Sequence, residues 1–531
     1  VAAAETGPSN TLEVSLVDPN VPIPAPPVNL RTEEVNKNDL TIVWEASEGA
    51  RAYRVYRSTS ENGSYEPIGR STTTGFTDTT VLTTIPYYYK VAAVSAGGVS
   101  ELSEVLETQA VTVLYRQAEY LDRALVAVKQ EGGVYVGWRM LGTDPSDIAF
   151  NLYRDGSKVN ADPIGGATNL FDASGTDSSI YVLKTVDASG KERTASKETA
   201  VWQNQYLAVP IQKPTGGITP AGEAYTYSAS DSSVGDLDGD GVYELIVKWD
   251  PSNAHDNSQA GYTGNVYIDA YKLDGTRLWR IDLGKNIRAG AHYTQFMVYD
   301  LDGDGKAEVA FKTADGTIDG TGAAIGEALA DHRNSSGYIL QGPEYLTVFD
   351  GLTGRALTTT DYDPPRGIVS DWGDAYGNRV DRFLAAVAYL DGEHPSLIVS
   401  RGYYTRTVIV AYDYKNGELV KRWKFDSNDK EYGAAYTGQG DHNLSIGDVD
   451  RDGKDEITFG AMAIDDNGKP LYNTGLGHGD AQHLGDLDPS RPGLEFFNVH
   501  EHADSPYGMD FRDAETGEVL WGVYTGIDTG R

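Results

Sequence analysis

Carboxylates recur along this chain at a spacing that suits a hard cation. Three loops, DLDGDGVYE (236–244), DLDGDGKAE (300–308) and DVDRDGKDE (448–456), place acidic residues at positions 1, 3, 5 and 9 and a glycine at position 6. Because Ca²⁺ takes several oxygen ligands in flexible geometry, we expect each loop to bind one calcium ion. The expected side-chain ligands are Asp236, Asp238, Asp240, Glu244, Asp300, Asp302, Asp304, Glu308, Asp448, Asp450, Asp452 and Glu456, and the expected carbonyl ligands are those of Val242, Lys306 and Lys454.

These loops begin like an EF-hand but end differently. An EF-hand has a bidentate glutamate at position 12, whereas these loops continue into residues typical of β-strands. We therefore expect calcium loops at the start of strands, and the alternative is a hairpin turn without an ion. A stretched loop, DLDPSRPGLE, adds Asp486, Asp488 and Glu495 as expected ligands. The segment VAYLDGEHPSLIVS (387–400) has Tyr389 in place of the first aspartate, which predicts strands without a complete site.

Histidine and acidic residues gather in loops that lead into the predicted strands. His442 and His478 lie there with Asp480 and Glu501, which favours a metal or substrate site over isolated structural histidines. Basic residues recur nearby and indicate either an anionic ligand or ordinary pairing with the acidic loops. These basic residues are Lys248, Lys312, Arg288, Arg382, Arg401 and Arg406.

Composition argues against several classes of function. The formal net charge of −34 disfavours nucleic-acid binding, and no run of about 18 apolar residues is present to span a membrane. Cysteine is absent, so disulfides and thiol chemistry are excluded. No nucleophile elbow, P-loop or HExxH pattern occurs, although a carboxylate pair for glycoside hydrolysis stays open. We expect a secreted, extracellular protein, since calcium loops of this kind suit a calcium-rich setting, and we also expect a monomer.

Short β-strands are the elements that would position these loops. After each loop comes a second strand pair with a glycine-containing turn, as in DAYKLDGTRLWR (269–280) and FRDAETGEVLW (511–521). Such four-stranded repeats are typical of propeller blades, with an array of β-sandwiches as the competing fold. The predicted fold is all-β, with a calcium-binding β-propeller after small β-sandwich domains. The predicted divisions are a tail at 1–24, small domains at 25–112 and 113–205, and a partial propeller at 206–531.

Two resemblances to known families support this organisation. The strands LTIVWEA (40–46) and YYYKVAAVS (87–95) resemble those of a fibronectin type III sandwich, which is usually a spacer and alternatively a ligand-binding module. Residues 116–531 resemble the bacterial rhamnogalacturonan lyases of polysaccharide lyase family 11. The resemblance rests on residues 234–317 and on DWGDAYGNRVDRF, GQGDHNLS, GLGHGDAQHLGDLD and FRDAETGEVLWGVYTG.

The family resemblance implies an activity, a substrate and a set of site residues. It implies an eight-bladed propeller with several Ca²⁺ ions that cleaves rhamnogalacturonan I, an anionic polysaccharide of plant cell walls, by β-elimination at rhamnosyl-(1,4)-galacturonate bonds. Asp250 matches a rhamnose contact, and Ser230 stands where the family often has asparagine. Arg531 matches an active-site arginine. The implied calcium ligands are His442, His478, Asp480, Glu501 and also Asp231.

β-Elimination from galacturonate needs a cation and a base. The proton at C5 leaves beside the carboxylate, so the developing charge must be neutralised by arginine, lysine or a metal ion. Arginine is a poor base, so we assign Arg531 to carboxylate neutralisation. We expect the base and the last blades to lie beyond residue 531, and this chain by itself to be nearly inactive. The alternative function is a non-catalytic, calcium-dependent glycan-binding or adhesion propeller. Endo and exo action both stay open.

Overall fold

The computed structural model describes residues 18–35, 40–78, 81, 87–108, 116–141, 144, 148–187, 189–432 and 434–529. Within these ranges the chain is almost entirely β-strand, with a single short 3-10 helix at Val369–Trp372. This confirms the all-β prediction. The chain divides into two compact units: Val1–Val113 with the segments Thr143–Ile148 and Asp187–Ser189 form one, and the rest of Leu114–Arg531 forms the other. No helix in the described part of the chain is long and apolar enough to cross a membrane.

The described residues of the first unit form two antiparallel sheets around one core. One sheet has the order β1-β2-β5, and the other has the order β4-β3-β6-β7 with β8 beside β6. The strands are β1 Arg31–Val35, β2 Leu40–Val43, β3 Ala52–Ser58, β4 Glu66–Ser71, β5 Gly75–Asp78, β6 Tyr87–Ser95, β7 Gly98–Val99 and β8 Leu106–Thr108. Alternate residues of both sheets, including Ile42, Val55 and Tyr89, are buried against each other, as in a β-sandwich.

The second unit begins with a nine-stranded region. Its order is β12-β11-β15-β17-β9-β10-β14, with β13 beside β11 and β16 beside β15. The strands are β9 Val126–Gln130, β10 Gly133–Gly137, β11 Ala149–Arg154, β12 Ser157–Lys158, β13 Ile164–Gly165, β14 Asn169–Asp172, β15 Ile180–Val186, β16 Glu192–Ala195 and β17 Thr199–Trp202. The strands β9 and β17 pair in parallel, and the other pairs are antiparallel.

In the described residues that follow, five antiparallel sheets are each built on four strands in chain order. A short hairpin, β18 Gly217–Ile218 and β19 Ala224–Tyr225, precedes them. The first sheet has β20 Tyr227–Gly235, β21 Glu244–Pro251, β22 Tyr267–Tyr271 and β23 Arg277–Asp282, extended by β26 Thr317–Ile318 and β27 Ala324–Ile325. The second has β24 Phe296–Tyr299, β25 Glu308–Ala314, β28 Glu344–Phe349 and β29 Ala356–Asp361. The third has β30 Phe383–Ala388, β31 Ser396–Arg401, β32 Val408–Lys415 and β33 Glu418–Asp426. The fourth has β34 Ser445–Gly447, β35 Glu456–Phe459, β36 Met462–Ile464 and β37 Pro470–Asn473, and the fifth has β38 Gly479–Gly485, β39 Glu495–His500, β40 Met509–Asp513 and β41 Val519–Val523.

Successive sheets pack through apolar layers that both neighbours share. Ile246 of the first sheet and Phe311 of the second lie in one such core, and Ile398 of the third lies with Ile457 of the fourth in another. Every residue of β25 and β31 is buried, because these inner strands are covered on both faces. The first strands of the five sheets also adjoin one another in sequence order. The three acidic loops lie on three different sheets, so they do not share one stacked sheet.

Candidate metal loops and polar rim

Each acidic loop is the turn between the first and second strands of its sheet. The first aspartate of the loop organises this turn by accepting backbone N–H groups. Asp236 accepts from Gly239 at 2.8 Å and from Gly241 at 2.7 Å, and Asp300 accepts from the corresponding glycines. The glycine at position 6 has a φ of +85° in Gly241, a conformation that favours glycine. Much of the loop pattern therefore has a local structural reason.

Three carboxylates come together in each loop. In every case one oxygen from each member lies within 4.8 Å of the others. The members of the groups are Asp236, Asp238 and Glu244; Asp300, Asp302 and Asp304; and Asp448, Asp450 and Glu456. The remaining expected ligands, Asp240, Glu308 and Asp452, lie outside these groups. The glutamate at position 9 accepts the N–H of the residue at position 2, as in the 2.9 Å contact between Leu237 and Glu244.

Burial and crowding make these loops suited to a hard cation. Glu456 is fully buried, and its Oε1 has no hydrogen-bond partner. Burial, followed by the charge of Asp450, raises the pKa of Glu456 to about 10. Burial likewise raises the pKa of Glu308 to about 8, with Asp302 adding to the effect. Carboxylates of this kind fit the oxygen preference of Ca²⁺, which would offset charges that are otherwise costly to bury.

The stretched loop at 486–495 shares only part of this geometry. Glu495, at position 10, is buried and accepts the N–H groups of Leu487 and Asp488 at 3.0 and 2.9 Å, much as the position-9 glutamates of the other loops accept the N–H of position 2. The Arg491 guanidinium lies 3.7 Å from Glu495 Oε1. In this described loop the structure does not bring Asp486, Asp488 and Glu495 together as a three-ligand group.

A fourth group of potential ligands lies at the ends of the fourth and fifth sheets where β34 and β38 begin and β39 ends. His442, His478, Asp480 and Glu501 each offer an atom within 4.8 Å of the others. His478 Nδ1 faces the carbonyl oxygen of Gly440 at 2.6 Å, while its Nε2 is buried without a hydrogen-bond partner. Burial lowers the pKa of His478 to about 3, so its imidazole is neutral. A neutral imidazole oriented through its other nitrogen is the form that binds a metal ion.

Aromatic side chains surround this histidine group. The Tyr404 hydroxyl lies 2.9 Å from His442 Nε2, and the Tyr404 ring lies 4.3 Å from the ring of His478. The ring of Tyr403 is parallel to that of His478 at 5.4 Å. Both tyrosines follow β31, which places them at the end of the third sheet where β30 begins.

A second polar cluster lies at the corresponding end of the first sheet. Lys248 is buried, is hydrogen-bonded to Asp231 and lies 3.8 Å from Asp250. One Asp250 oxygen is buried without a hydrogen-bond partner, so it can still accept a donor. Asp231 belongs to no metal-ligand group among the described residues, and Ser230 is exposed on β20. Arg531 lies outside the described residues.

Two residues that sequence reasoning did not single out, His292 and Asp256, lie with Arg382 beside the histidine group. His292 Nε2 lies 3.8 Å from Asp256, and the His292 ring lies 5.5 Å from the ring of His442. Burial, followed by the charge of Arg382, lowers the pKa of His292 to about 4. Arg382 itself lies 3.7 Å from Asp256. We call these groups, Tyr403, Tyr404 and the two clusters the polar rim; the positive charge of Lys248 also contributes to the lowered pKa of His292.

Most of the other basic residues expected near a ligand are paired inside the protein. Glu344 binds Arg401 at 2.9 and 3.0 Å, Arg366 at 2.8 Å and Lys312 at 3.1 Å. Burial by itself would raise the pKa of Glu344, but these cations hold it below its ordinary value. Arg406 pairs with Asp426, and Arg288 is bonded to Tyr293 and to backbone carbonyls. Ordinary pairing therefore describes these residues, and Arg382 is the predicted arginine that reaches the polar rim.

Comparison with known proteins identifies the family. Residues 206–531 match the family model for the C-terminal domain of rhamnogalacturonan lyase family 11, and residues 116–202 match that for the beta-sheet domain of rhamnogalacturonan I lyases. The chain is 65% identical over 416 residues to the rhamnogalacturonan exolyase YesX of Bacillus subtilis (strain 168), covering 78% of this chain and 68% of the relative. It is 64% identical to the endolyase YesW of the same organism, covering 78% and 67%. The structure of the Bacillus licheniformis rhamnogalacturonan lyase PL11 matches with a TM-score of 0.76 at 64% identity, over 78% of this chain and 71% of that one. The chain therefore belongs to rhamnogalacturonan lyase family 11.

Proposed function

We propose that this chain is a rhamnogalacturonan lyase that cleaves the rhamnosyl-(1,4)-galacturonate bonds of rhamnogalacturonan I by β-elimination. The observation that carries this proposal is family membership over most of the chain, with relatives that are named rhamnogalacturonan lyases. An exolyase and an endolyase match almost equally well, at 65% and 64% identity. Overall identity therefore does not choose between attack at chain ends and attack within the polymer.

The five sheets are, in this proposal, five blades of a β-propeller. Their support is the adjacency of the first strands and the apolar layers that neighbouring sheets share. Because the first and second strands of a sheet are antiparallel, the loop between them lies at one end of the sheet, and the start of the first strand lies at the other end with the end of the second strand. The acidic loops follow the first strands, whereas Asp250, Tyr404 and His442 lie where first strands begin or second strands end. The acidic loops are thus structural, and the polar rim is where substrate binds.

Calcium is the cation we assign to the three acidic loops and to the histidine group. In the loops the grouped carboxylates would hold it together with the carbonyls of Val242, Lys306 and Lys454. In the rim His442, His478, Asp480 and Glu501 would hold it, and the bound ion would supply positive charge near the substrate carboxylate. This requirement for calcium supports extracellular action on a plant cell-wall polymer.

The side chains of the polar rim meet the other demands of the reaction. The unpartnered oxygen of Asp250 accepts a hydrogen bond from a sugar hydroxyl. Arg382 is fixed by the Asn378 carbonyl at 3.0 Å and lies near Tyr403, where it attracts an acidic sugar. Its positive charge favours the transition state, in which negative charge builds on the galacturonate carboxylate as the C5 proton leaves. Neutral His292 contributes hydrogen bonding to this surface without adding charge.

Incubation with rhamnogalacturonan I tests the proposal directly. β-Elimination forms an unsaturated product, so ultraviolet absorbance must rise in step with new reducing ends. Reducing ends without that absorbance would identify a hydrolase. Binding of the polymer with neither signal would favour the non-catalytic glycan-binding alternative. If the protein neither bound nor cleaved a sample of rhamnogalacturonan I that another lyase cleaves, the assignment would be rejected.

A further inference from the structure

Arg379 lies in a tight turn that leads into β30 and borders the polar rim. Asp374 holds the backbone of this turn through both carboxylate oxygens. Asp374 Oδ2 accepts the N–H of Arg379 at 2.7 Å, and Oδ1 accepts three preceding N–H groups at 2.9 to 3.2 Å. The direction in which the Arg379 side chain leaves the backbone is therefore fixed before any ligand binds.

Packing fixes the rest of the Arg379 side chain. A Cβ atom on Gly373 would lie 3.0 Å from Arg379 Cδ, so the side chain crosses the space that this glycine leaves open. The φ of Gly373 is +106°, which also favours glycine there. The Arg379 guanidinium lies 5.2 Å from the centre of the Tyr404 ring, within the range of a cation–π contact. A residue held on both sides in this way loses little conformational entropy when it binds a ligand.

The charge of Arg379 nevertheless has no internal partner. In the described parts of the chain, its guanidinium makes no hydrogen bond or ion pair, and its contact is with the Tyr404 ring. Neighbouring Arg382 differs, because it contacts Asn378, Tyr403 and Asp256. This contrast is notable in a chain with 78 acidic and 44 basic residues, where carboxylates are plentiful. A guanidinium presents five N–H donors in a planar fork, and here that fork is available to a ligand.

The position of Arg379 indicates which ligand that is. Arg379 lies over the ring of Tyr404, and Tyr404 contacts both His442 and His478 of the histidine group. Arg382 lies over the same Tyr404 ring at 5.4 Å. Two arginines thus border the candidate metal group on one side, and a planar anion is the natural partner of such a fork.

We propose that Arg379 binds the carboxylate of a galacturonate unit and so selects acidic over neutral sugars at the polar rim. This inference rests on the proposed function, because it takes the substrate to be rhamnogalacturonan. The contact is a paired hydrogen bond between the guanidinium and the carboxylate, backed by the Tyr404 ring. Lysine offers charge but no fork, so it is an incomplete replacement.

A binding cycle with two ligands tests this role. Calorimetry would measure the full chain, Arg379→Ala and Arg379→Lys against a rhamnose–galacturonate oligosaccharide and its carboxyl-reduced, neutral form. We expect Arg379→Ala to weaken binding of the acidic ligand by about tenfold to a hundredfold, as for a charged hydrogen bond. Carboxyl reduction should weaken wild-type binding by at least as much, but should have much less effect in Arg379→Ala. Arg379→Lys should keep a smaller preference for the acidic ligand than the wild type.

The matched control is Arg355→Ala, which removes an exposed arginine from the turn between β28 and β29. It should bind both ligands like the wild type, and equal thermal unfolding of all variants would exclude loss of fold. Equal weakening of both ligands in Arg379→Ala, or wild-type affinity for both, would overturn the proposal. If wild-type protein bound the acidic ligand but formed no unsaturated product, the proposed function would fail while the cycle still decided the role of Arg379.

Discussion

Replacement of Glu456 by glutamine should lower the free energy of unfolding in calcium but leave it almost unchanged in chelator. Glu456 is fully buried, its Oε2 accepts the N–H of Val449 at 2.8 Å, and its Oε1 has no hydrogen-bond partner. Asp448 and Asp450 offer oxygens within 4.8 Å of it. Glutamine keeps the shape of the side chain and removes the charge that Glu456 carries when calcium is bound. The substitution therefore isolates the electrostatic part of the loop.

The expected magnitude follows from the spacing of the charges. Two unit charges 4.8 Å apart repel by about 3.5 kcal/mol at an effective dielectric constant of about 20. With calcium bound, three ionised carboxylates make three such repulsions, which the ion offsets and of which glutamine would remove two. Without calcium, the raised pKa of about 10 keeps Glu456 protonated, so glutamine then removes no charge. A calcium ion present at about 100 times its dissociation constant stabilises the fold by about 2.7 kcal/mol per site. The three loops together should then contribute about 8 kcal/mol in calcium, and Glu456→Gln should lose about 2–3 kcal/mol of that contribution.

Urea unfolding in excess calcium and in excess chelator would measure the effect. In calcium the variant should be less stable than the wild type, and in chelator it should be about as stable, because Glu456 is then protonated. The control is Glu418→Gln, which changes an exposed glutamate at the start of β33 and should follow the wild type in both conditions. A wild-type free energy of unfolding that chelator does not change would refute calcium binding by the loops. So would a Glu456→Gln variant that behaves like the control.

Three further changes give distinct expected outcomes. Glu344→Gln should lower the free energy of unfolding by about 3–5 kcal/mol, because it leaves buried cations without their carboxylate, whereas exposed Glu327→Gln should have almost no effect in the same urea titration. His478→Ala should raise the calcium concentration needed for cleavage while acidic-loop stabilisation persists, and an unchanged calcium dependence of product absorbance would contradict a metal-binding role. Gly373→Ala should cost about 1–3 kcal/mol through backbone strain and should displace Arg379, so calorimetry should show weaker binding of the acidic oligosaccharide. Wild-type affinity in that variant would show that the space over residue 373 does not control the arginine.

Local features of the fold could be predicted from the sequence because they depend on interactions between residues close together in the chain. The first aspartate of each loop accepts N–H groups only a few residues away, and position 6 needs a positive φ. The same holds for Glu244 and its contact with Leu237. Regular strand-and-turn spacing likewise predicted the four-stranded repeats, including the hairpin of β30 and β31 that lacks the first aspartate. The family motifs predicted the lyase activity, which the sequence of no single loop indicates.

The assembly of the site depended on contacts between distant segments. His442 and His478 belong to segments leading into different sheets, and His292 reaches them from the second sheet. The motif DWGDAYGNRVDRF supported the family resemblance. Arg379 within it was not identified as a site residue from the sequence, although it stands three residues before Arg382. Its significance is the absence of a partner, and that absence becomes visible only when every neighbouring carboxylate has been located.

The sequence by itself determined the all-β class, the repeated acidic turns and the family, because strand periodicity and turn chemistry act over a few residues. Tertiary structure decided which charges face a ligand and which face the interior. Lys312 and Arg401 lie on strands buried on both faces, so they pair with Glu344 instead of lining the rim. Alternation along a strand assigns side chains to two faces but does not say what covers each face. Packing of successive sheets supplies that information, and with it the difference between a buried counter-ion and a substrate contact.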